Sequence, residues 1–404
     1  MPVYLDNLAT TPADPRVVES MLPYFTEHFG NAASKTHSFG WKAAEAVEQS
    51  RFQVAALLGA ASPREIIFTS GGTEANNLAI KGVAGYYRSK GTHIVTCATE
   101  HKSVLDSFKT LESRGFRVTY LPVDGFGRVD MDRLRAVVSD QTILISVMAA
   151  NNEIGTIQPL EEIGSFAKER GVLWHCDAVQ AVGKISLDVQ KLGVDLLSLS
   201  AHKIYGPKGT GALYVRSRQP RVRLETQMDG GGHERGLRSG TLAVPGIVGL
   251  GKACELCQDE MGSESQRLSS LSQQFYRGLC QHLADIHLNG HPQTRLPGAL
   301  NLSFVGVDGA KLLLALREIA LSAGSACASS GATSHVLKAI GLEDDHIFSS
   351  VRFGLGRFNS AAEIDYVEER VIEAATALGR TSSLSEDRLD TKIVRESFKD
   401  LHSA

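Results

Sequence analysis

The sequence predicts an α/β fold, with a large domain built on a mainly parallel sheet and a smaller α+β domain, from three observations. First, the chain has 404 residues and 43% hydrophobic content, which exceeds the roughly 250 to 300 residues at which one core usually splits. Second, from about Pro15 to Ser217 short apolar runs alternate with helical stretches, the pattern of strands joined by crossover helices. Third, that rhythm changes after about Glu260. The predicted strands are Glu65 to Thr69, His93 to Cys97, Thr142 to Met148, Val172 to Cys176 and Asp195 to Ser200, with helices including Trp41 to Leu58 and Leu160 to Arg170. Gly59, Gly91, Gly115 and Gly171 fall where helix C-caps belong. The apolar period of Ile247 to Gln258 predicts a helix, and beyond it come helix Ser263 to Leu283, strand Ala299 to Phe304, helix Lys311 to Leu316 and helix Ala361 to Leu378. The polar tail from Gly379 to Ala404 reads as a surface helix or a partly disordered arm. The expected boundaries are 15–258 for the large domain, and 1–14 with 259–404 for the small one.

A formal net charge of −3 gives no electrostatic footprint for nucleic acid or anionic lipid. The start, Met1-Pro2-Val3-Tyr4-Leu5-Asp6, has neither a basic region followed by an apolar stretch nor an Arg/Ser-rich leader. No run of about 18 apolar residues offers a membrane span. A cytoplasmic protein without direct nucleic-acid or membrane partners is expected. Six cysteines are scattered without disulfide-framework density, which fits a reducing compartment. Cys254 and Cys257 form a C-x-x-C within a helical stretch, with no second pair at zinc spacing, so they read as packing residues and no metal site is expected.

Three segments carry chemistry. Leu196 to Ser200 ends in Ala201-His202-Lys203 before a Gly-Pro break, and ligands of open α/β sheets gather beyond the carboxyl ends of strands. A lysine amine of free pKa about 10.4 becomes a nucleophile toward aldehydes when it is shielded and pressed by other cations; a solvated lysine is the alternative. Phe68-Thr69-Ser70-Gly71-Gly72-Thr73 takes a strand through a diglycine into a helix, whose N-terminal N–H groups favour a phosphate, although many strand-to-helix turns are Gly-rich. Trp174-His175-Cys176-Asp177 places a carboxylate beyond an apolar run, either to pair a buried cation or to cap the next helix. Together, a phosphate seat, a carbonyl-trapping lysine and an aspartate for a protonated ring nitrogen describe pyridoxal 5'-phosphate, an electron sink. Ser322 through Ala332 is built only of Ser, Ala and Gly around Cys327. Such a run has weak structural preference and suits a thiol that travels, or else it is a plain turn with an inert cysteine.

Ten blocks, in order, resemble the cysteine desulfurases of the NifS/IscS type, within the aspartate-aminotransferase-like fold (fold type I). They are YLDNLATTP from Tyr4, SFGWKAAEAVE from Ser38, FTSGGTEANNLAIKG from Phe68, TEHKSVLD from Thr99, NNEIGTIQP from Asn151, HCDAVQAVGK from His175, SAHKIYGPKGTGALYV from Ser200, GGGHERGLRSGT from Gly230, SAGSACASSG from Ser322 and VRFGLGRF from Val351. The resemblance implies that Lys203 binds the cofactor aldehyde, that Gly72, Thr73, Ser200 and His202 hold its phosphate, that Asp177 pairs the ring nitrogen and that Gln180 bonds the phenolic oxygen. It places His101 against the ring as a proton shuttle, and Asn152 and Arg352 on the substrate carboxylate, with Arg357 close by in sequence. Thr241 would reach the phosphate of a neighbouring subunit, which implies a homodimer. The implied activity converts L-cysteine to L-alanine, leaving a persulfide on Cys327 for iron–sulfur scaffolds or thiolation enzymes, with transient contact of Cys327 to a cluster on a partner. A selenocysteine lyase or an aminotransferase is the alternative enzyme, and a non-catalytic sulfur carrier is the alternative outside enzymes. The chain departs from the family pattern at Leu8, Ala323 and Gly331-Ala332-Thr333, and in its tail from Thr381, which leaves the acceptor open, including a dedicated route such as nucleic-acid modification.

Overall fold

A computed structural model describes residues 2–323 and 333–397, with side chains through residue 379. The chain opens with β1 (Val3–Tyr4), α1 (Pro15–Met21), α2 (Pro23–Thr26) and α3 (Ser38–Leu58). An alternating stretch comes next: β2 (Ile66–Thr69), α4 (Gly72–Tyr87), β3 (His93–Cys97), α5 (Lys102–Ser113), β4 (Arg117–Leu121), α6 (Met131–Val137), β5 (Thr142–Ser146), α7 (Leu160–Arg170), β6 (Leu173–Asp177), α8 (Val189–Leu192), β7 (Leu196–Ser200) and β8 (Gly211–Val215). The remainder is α9 (Val244–His282), β9 (Ile286–Leu288), β10 (Ala299–Phe304), α10 (Gly309–Ala315), β11 (Ile319–Ala320), β12 (Ser322–Ala323), α11 (His335–Ala339), α12 (Asp344–Phe348), β13 (Ser350–Gly354) and α13 (Ala361–Ser397).

Seven strands form one sheet in the order β2-β8-β7-β6-β5-β3-β4. Only β8 runs against its neighbours in that sheet. Because side chains alternate across a strand, Phe68, Val95, Ile145, Trp174 and Leu197 face a core shared with α3, α7 and the first half of α9. Ile67, Ile94, Leu144, Leu196 and Leu213 face the core under α4 and α5. A sheet covered on both faces needs near-continuous apolar strands, which is why these runs were legible. The second sheet, β12-β13-β10-β9, is antiparallel. It packs Leu300, Leu302, Val351 and Phe353 against Leu268, Phe275 and Leu279 of α9, Val367 and Val371 of α13, and Val3 and Leu5 from the start of the chain.

Two helices differ from expectation. The stretches around Ile247 to Gln258 and Ser263 to Leu283 are one helix, α9, rather than two. Its first half is anchored in the large core and its second half in the small one, and this packing outweighs the roughly 1 kcal/mol that Gly262 costs in a helix. Likewise α13 continues past Leu378 to Ser397. Gly59 and Gly171 are left-handed C-caps at φ 63° and 64°, whereas Gly91 lies beyond the end of α4, whose cap is Arg88. Cys254 and Cys257 are buried core residues of α9. No helix among the described residues is long and apolar enough to cross a membrane.

One buried ion pair ties three segments together. The Arg51 guanidinium on α3 donates to both Glu234 oxygens at 2.7 and 2.8 Å and to the Ile66 carbonyl at 2.8 Å. Glu234 also accepts from the Phe68 backbone N–H at 2.8 Å, and both side chains are at most 3% exposed. Arg51→Met strands a buried carboxylate and is expected to cost about 3 to 5 kcal/mol. The check is the urea midpoint: Arg51→Met with Glu234→Gln must unfold later than Arg51→Met alone.

Candidate active site

Strands β2, β3, β5, β6 and β7 run the same way, so their carboxyl ends share one edge of the sheet. A cavity of about 370 Å³ opens there, lined among others by Gly72, Thr73, Asn76, His101, Asn152, Asp177, Gln180, Ser200, His202, Lys203 and Arg352. Nearly all of the residues proposed from the sequence meet in this one cleft, although they come from segments up to 280 positions apart.

Lys203 closes the turn after β7. Its ammonium donates to the carbonyls of Leu8 at 2.5 Å and Ala9 at 2.7 Å. Burial, then Lys184 and Arg352, push its pKa down to about 7, against the opposing pull of Asp6 and Asp177. At neutrality about half of such an amine is uncharged and able to act as a nucleophile or base. Leu8, where the chain departs from the family pattern, meets it through a backbone carbonyl that any residue would supply. Gln180 Nε2 donates to the same Leu8 carbonyl at 2.9 Å, and its Oε1 accepts from Lys184 at 3.2 Å. His202 is held by Thr10 Oγ1 at 3.1 Å, and burial pushes its pKa down to about 4, so it sits in the cleft as a neutral ring.

The segment expected to seat a phosphate is the start of α4. The N-cap of α4 is Gly71, which supplies no side-chain cap, so the first N–H groups of a sixteen-residue helix point free beside Ser200 and Thr73. A Cβ on Gly72 would stand 2.5 Å from Val179 Cγ2; only glycine lets the backbone approach this closely. Asp177 is 5% exposed and takes hydrogen bonds from Val179 N at 3.0 Å and Asn76 Nδ2 at 2.7 Å. An uncapped helix N-terminus, a buried carboxylate and a near-neutral amine lining one cleft fit pyridoxal phosphate.

The far wall comes from β13. Arg352 donates to Asp6 Oδ1 and to the Asn152 carbonyl, each at 2.9 Å, and its buried Nε has no partner. Asn152 is presented by a turn in which Asn151 Oδ1 accepts from Glu153 N and Ile154 N. Arg357, the other arginine of the block, is held elsewhere by Asp14 and Glu264 and lies 4.3 Å over the Tyr205 ring. Thr241 is exposed and lies outside its own chain's cleft. Cys327 lies outside the described residues, but β12 pairs Ser322 with Arg352 and bonds Asp6 through Ser322 Oγ at 2.8 Å, so the segment before it runs along the cleft wall. The buried thiols of Cys97, Cys176, Cys254 and Cys257 all have pKa values raised by burial, which leaves them inert. Sequence reasoning missed Asp6, Asn76 and Ser103. Asn76 could have been found, since it stands one helical turn beyond Gly72.

A doubly covered α/β sheet with a desolvated lysine and a free helix N-terminus at its carboxyl edge defines an enzyme that works through a bound aldehyde cofactor. The class-V aminotransferase family model matches residues 3–367. The chain is 56% identical over 387 residues to cysteine desulfurase IscS of Anaeromyxobacter sp. (strain Fw109-5), 96% of this chain and 95% of that one. A NifS-like protein superposes with a TM-score of 0.87 at 39% identity, covering 94% of this chain and 100% of its own. SspA in complex with cysteine superposes at 0.80 with 38% identity, covering 89% and 100%. The chain belongs to the class-V aminotransferase family, and within it to the cysteine desulfurases of the NifS/IscS type, a pyridoxal phosphate-dependent group.

Gly72→Ala is expected to cost about 1 to 3 kcal/mol of overpacking against Val179 and to weaken cofactor retention at least severalfold. Cofactor absorbance remaining after dialysis, read beside the melting curve, checks both.

Proposed function

We propose that this cleft holds pyridoxal 5'-phosphate, converts L-cysteine to L-alanine and passes the sulfur out through Cys327. The observation that carries this reading is the lowered basicity of Lys203 in a cleft that also offers Asp177 and an uncapped helix N-terminus. Gly72, Thr73, Ser200 and His202 hold the phosphate, Asp177 holds the ring nitrogen and Gln180 the phenolic oxygen. When bound, the cofactor supplies an electron sink for the substrate's α-carbon. Lys203 would hold the cofactor's aldehyde, and its amine, near neutral in this cleft, would serve as the base for the substrate's α-proton. Arg352 and Asn152 hold the substrate carboxylate, for which the unpartnered Nε of Arg352 suits a planar two-oxygen acceptor. The Cys327 thiolate then attacks the substrate sulfur: a sulfur–sulfur bond forms on Cys327, the carbon–sulfur bond breaks with its electron pair passing to the substrate carbon, and that carbon takes up a proton before alanine leaves. A free thiol of pKa about 8.5 is mostly protonated at neutral pH, so a group in the cleft has to receive its proton.

The acceptor is an iron–sulfur scaffold or a thiolation protein; the IscS relative favours the first. The working unit is a homodimer. Two observations support this: Thr241 lies outside its own cleft, and Leu22, Phe25, Phe29, Phe39 and Trp41 are exposed on one stretch of chain, Phe29 and Phe39 with rings 5.5 Å apart. Among the described residues five cysteines are unpaired, four of them buried and Cys280 exposed, which suits a reducing cytoplasm.

With L-cysteine as the only substrate, the wild type is expected to release alanine. Cys327→Ala is expected to retain the cofactor's absorbance and release none, and Lys203→Ala to lose turnover by at least a thousandfold. Sustained alanine release by Cys327→Ala, or a requirement for a keto acid, would overturn the assignment in favour of an aminotransferase.

A further inference from the structure

A run of hydrogen bonds across the cleft floor has only one possible direction. Asp177 Oδ2 lies 2.7 Å from Asn76 Nδ2. A carboxylate offers only acceptors, so Asn76 must turn its amide nitrogen toward it. The alternative placement would set the amide oxygen against the carboxylate, and the structure instead leaves Asn76 Oδ1 buried without a partner. The same Nδ2 donates its second hydrogen to Ser103 Oγ at 2.9 Å. The Ser103 hydroxyl lies 2.8 Å from His101 Nδ1, and because the Ser103 backbone N–H makes that nitrogen an acceptor, the hydroxyl hydrogen goes to it. The Ser103 backbone N–H reaches that nitrogen as well, at 3.2 Å, where His101 caps α5. With two donors aimed at it, Nδ1 carries no hydrogen.

We propose that Asn76 and Ser103 are positioning residues that lock His101 as its Nε2–H tautomer and couple it to Asp177. The nitrogen left for a reacting group is then Nε2, already carrying a proton. His101 gives a proton in the reaction and cannot take one at Nε2 without first releasing its own, and protonation at Nδ1 would have to break the Ser103 bond. Although His101 is solvent-exposed, partial desolvation by the cleft walls, reinforced by Lys203 and His335 and opposed by Asp177 and Asp106, keeps its pKa below the ordinary value, so the neutral form is the resting one. The proposal rests on the pyridoxal phosphate reading of the cleft and deepens it.

The test is histidine-selective 15N NMR on the full-length, cofactor-loaded protein, with His101 assigned by its loss in His101→Gln. The wild type is expected to show a bare Nδ1 and a protonated Nε2. Ser103→Ala removes one donor from Nδ1 and so raises its basicity. The Nδ1–H form should then appear, and the acid limb of kcat/KM should move up by about half to one pH unit. Ser103→Thr, which keeps the hydroxyl, should restore both. Asp177, Lys203, His335 and Asp106 also face the ring and are unchanged in these variants. A proton on Nδ1 in the wild type overturns the proposal without any variant having to fold, as does a Ser103→Ala protein with unmoved tautomer and pH profile. The tautomer is read from the spectrum, so loss of alanine release alone would fault the functional reading and leave this one standing.

Discussion

The architecture turns on keeping one amine out of water. Lys203 is held by two backbone carbonyls from the segment around Leu8, and its charged form is opposed by burial, Lys184 and Arg352. Isolated desolvation of a lysine is expensive, and the protein meets that cost by letting the proton go. Without that shift the residue would be an ammonium, unable to act as nucleophile or base. The start of the chain supplies the carbonyls, β7 supplies the lysine, and β13 supplies the repelling arginine, so the site depends on segments packed in both cores.

The same economy of position governs the rest of the cleft. Parallel strands deliver Asp177, Ser200 and the turn toward His101 to one edge of the sheet, where helix N-termini also gather. The glycine at position 72 permits the close approach, and Asp177 is kept facing inward by Asn76 and Val179 N. Arg352, Asp6 and Ser322 share one small network on the opposite wall. A change on either side of this network reaches both the substrate anchor and the strand leading to the Cys327 run.

Much of this was legible because buried strands write themselves as apolar runs and amphipathic helices as periodic ones: strands His93 to Cys97 and Ala299 to Phe304 and helix Leu160 to Arg170 were read at their observed bounds. Strand β4, half-exposed at the sheet edge, lacks such a run, and β8 is hidden behind a glycine-rich approach. The unbroken α9 was missed because its joining residues around Gly262 are polar and only tertiary packing on two cores decides their state. In the site, residues that face the ligand through their own chemistry, such as Lys203, Asp177 and Arg352, announced themselves in motifs. Asp6, Asn76 and Ser103 did not, since their value lies in whom they touch. Asp6 reaches Arg352 from 346 positions away, a relation no local pattern encodes.

The most direct measurement is a titration of the Lys203 amine in the cofactor-free chain, by NMR of 13C-labelled lysines assigned against Lys203→Arg. Burial predicts a midpoint near 7, with the amine neutral above it. A midpoint near 10, the value of a solvated lysine, would contradict the account.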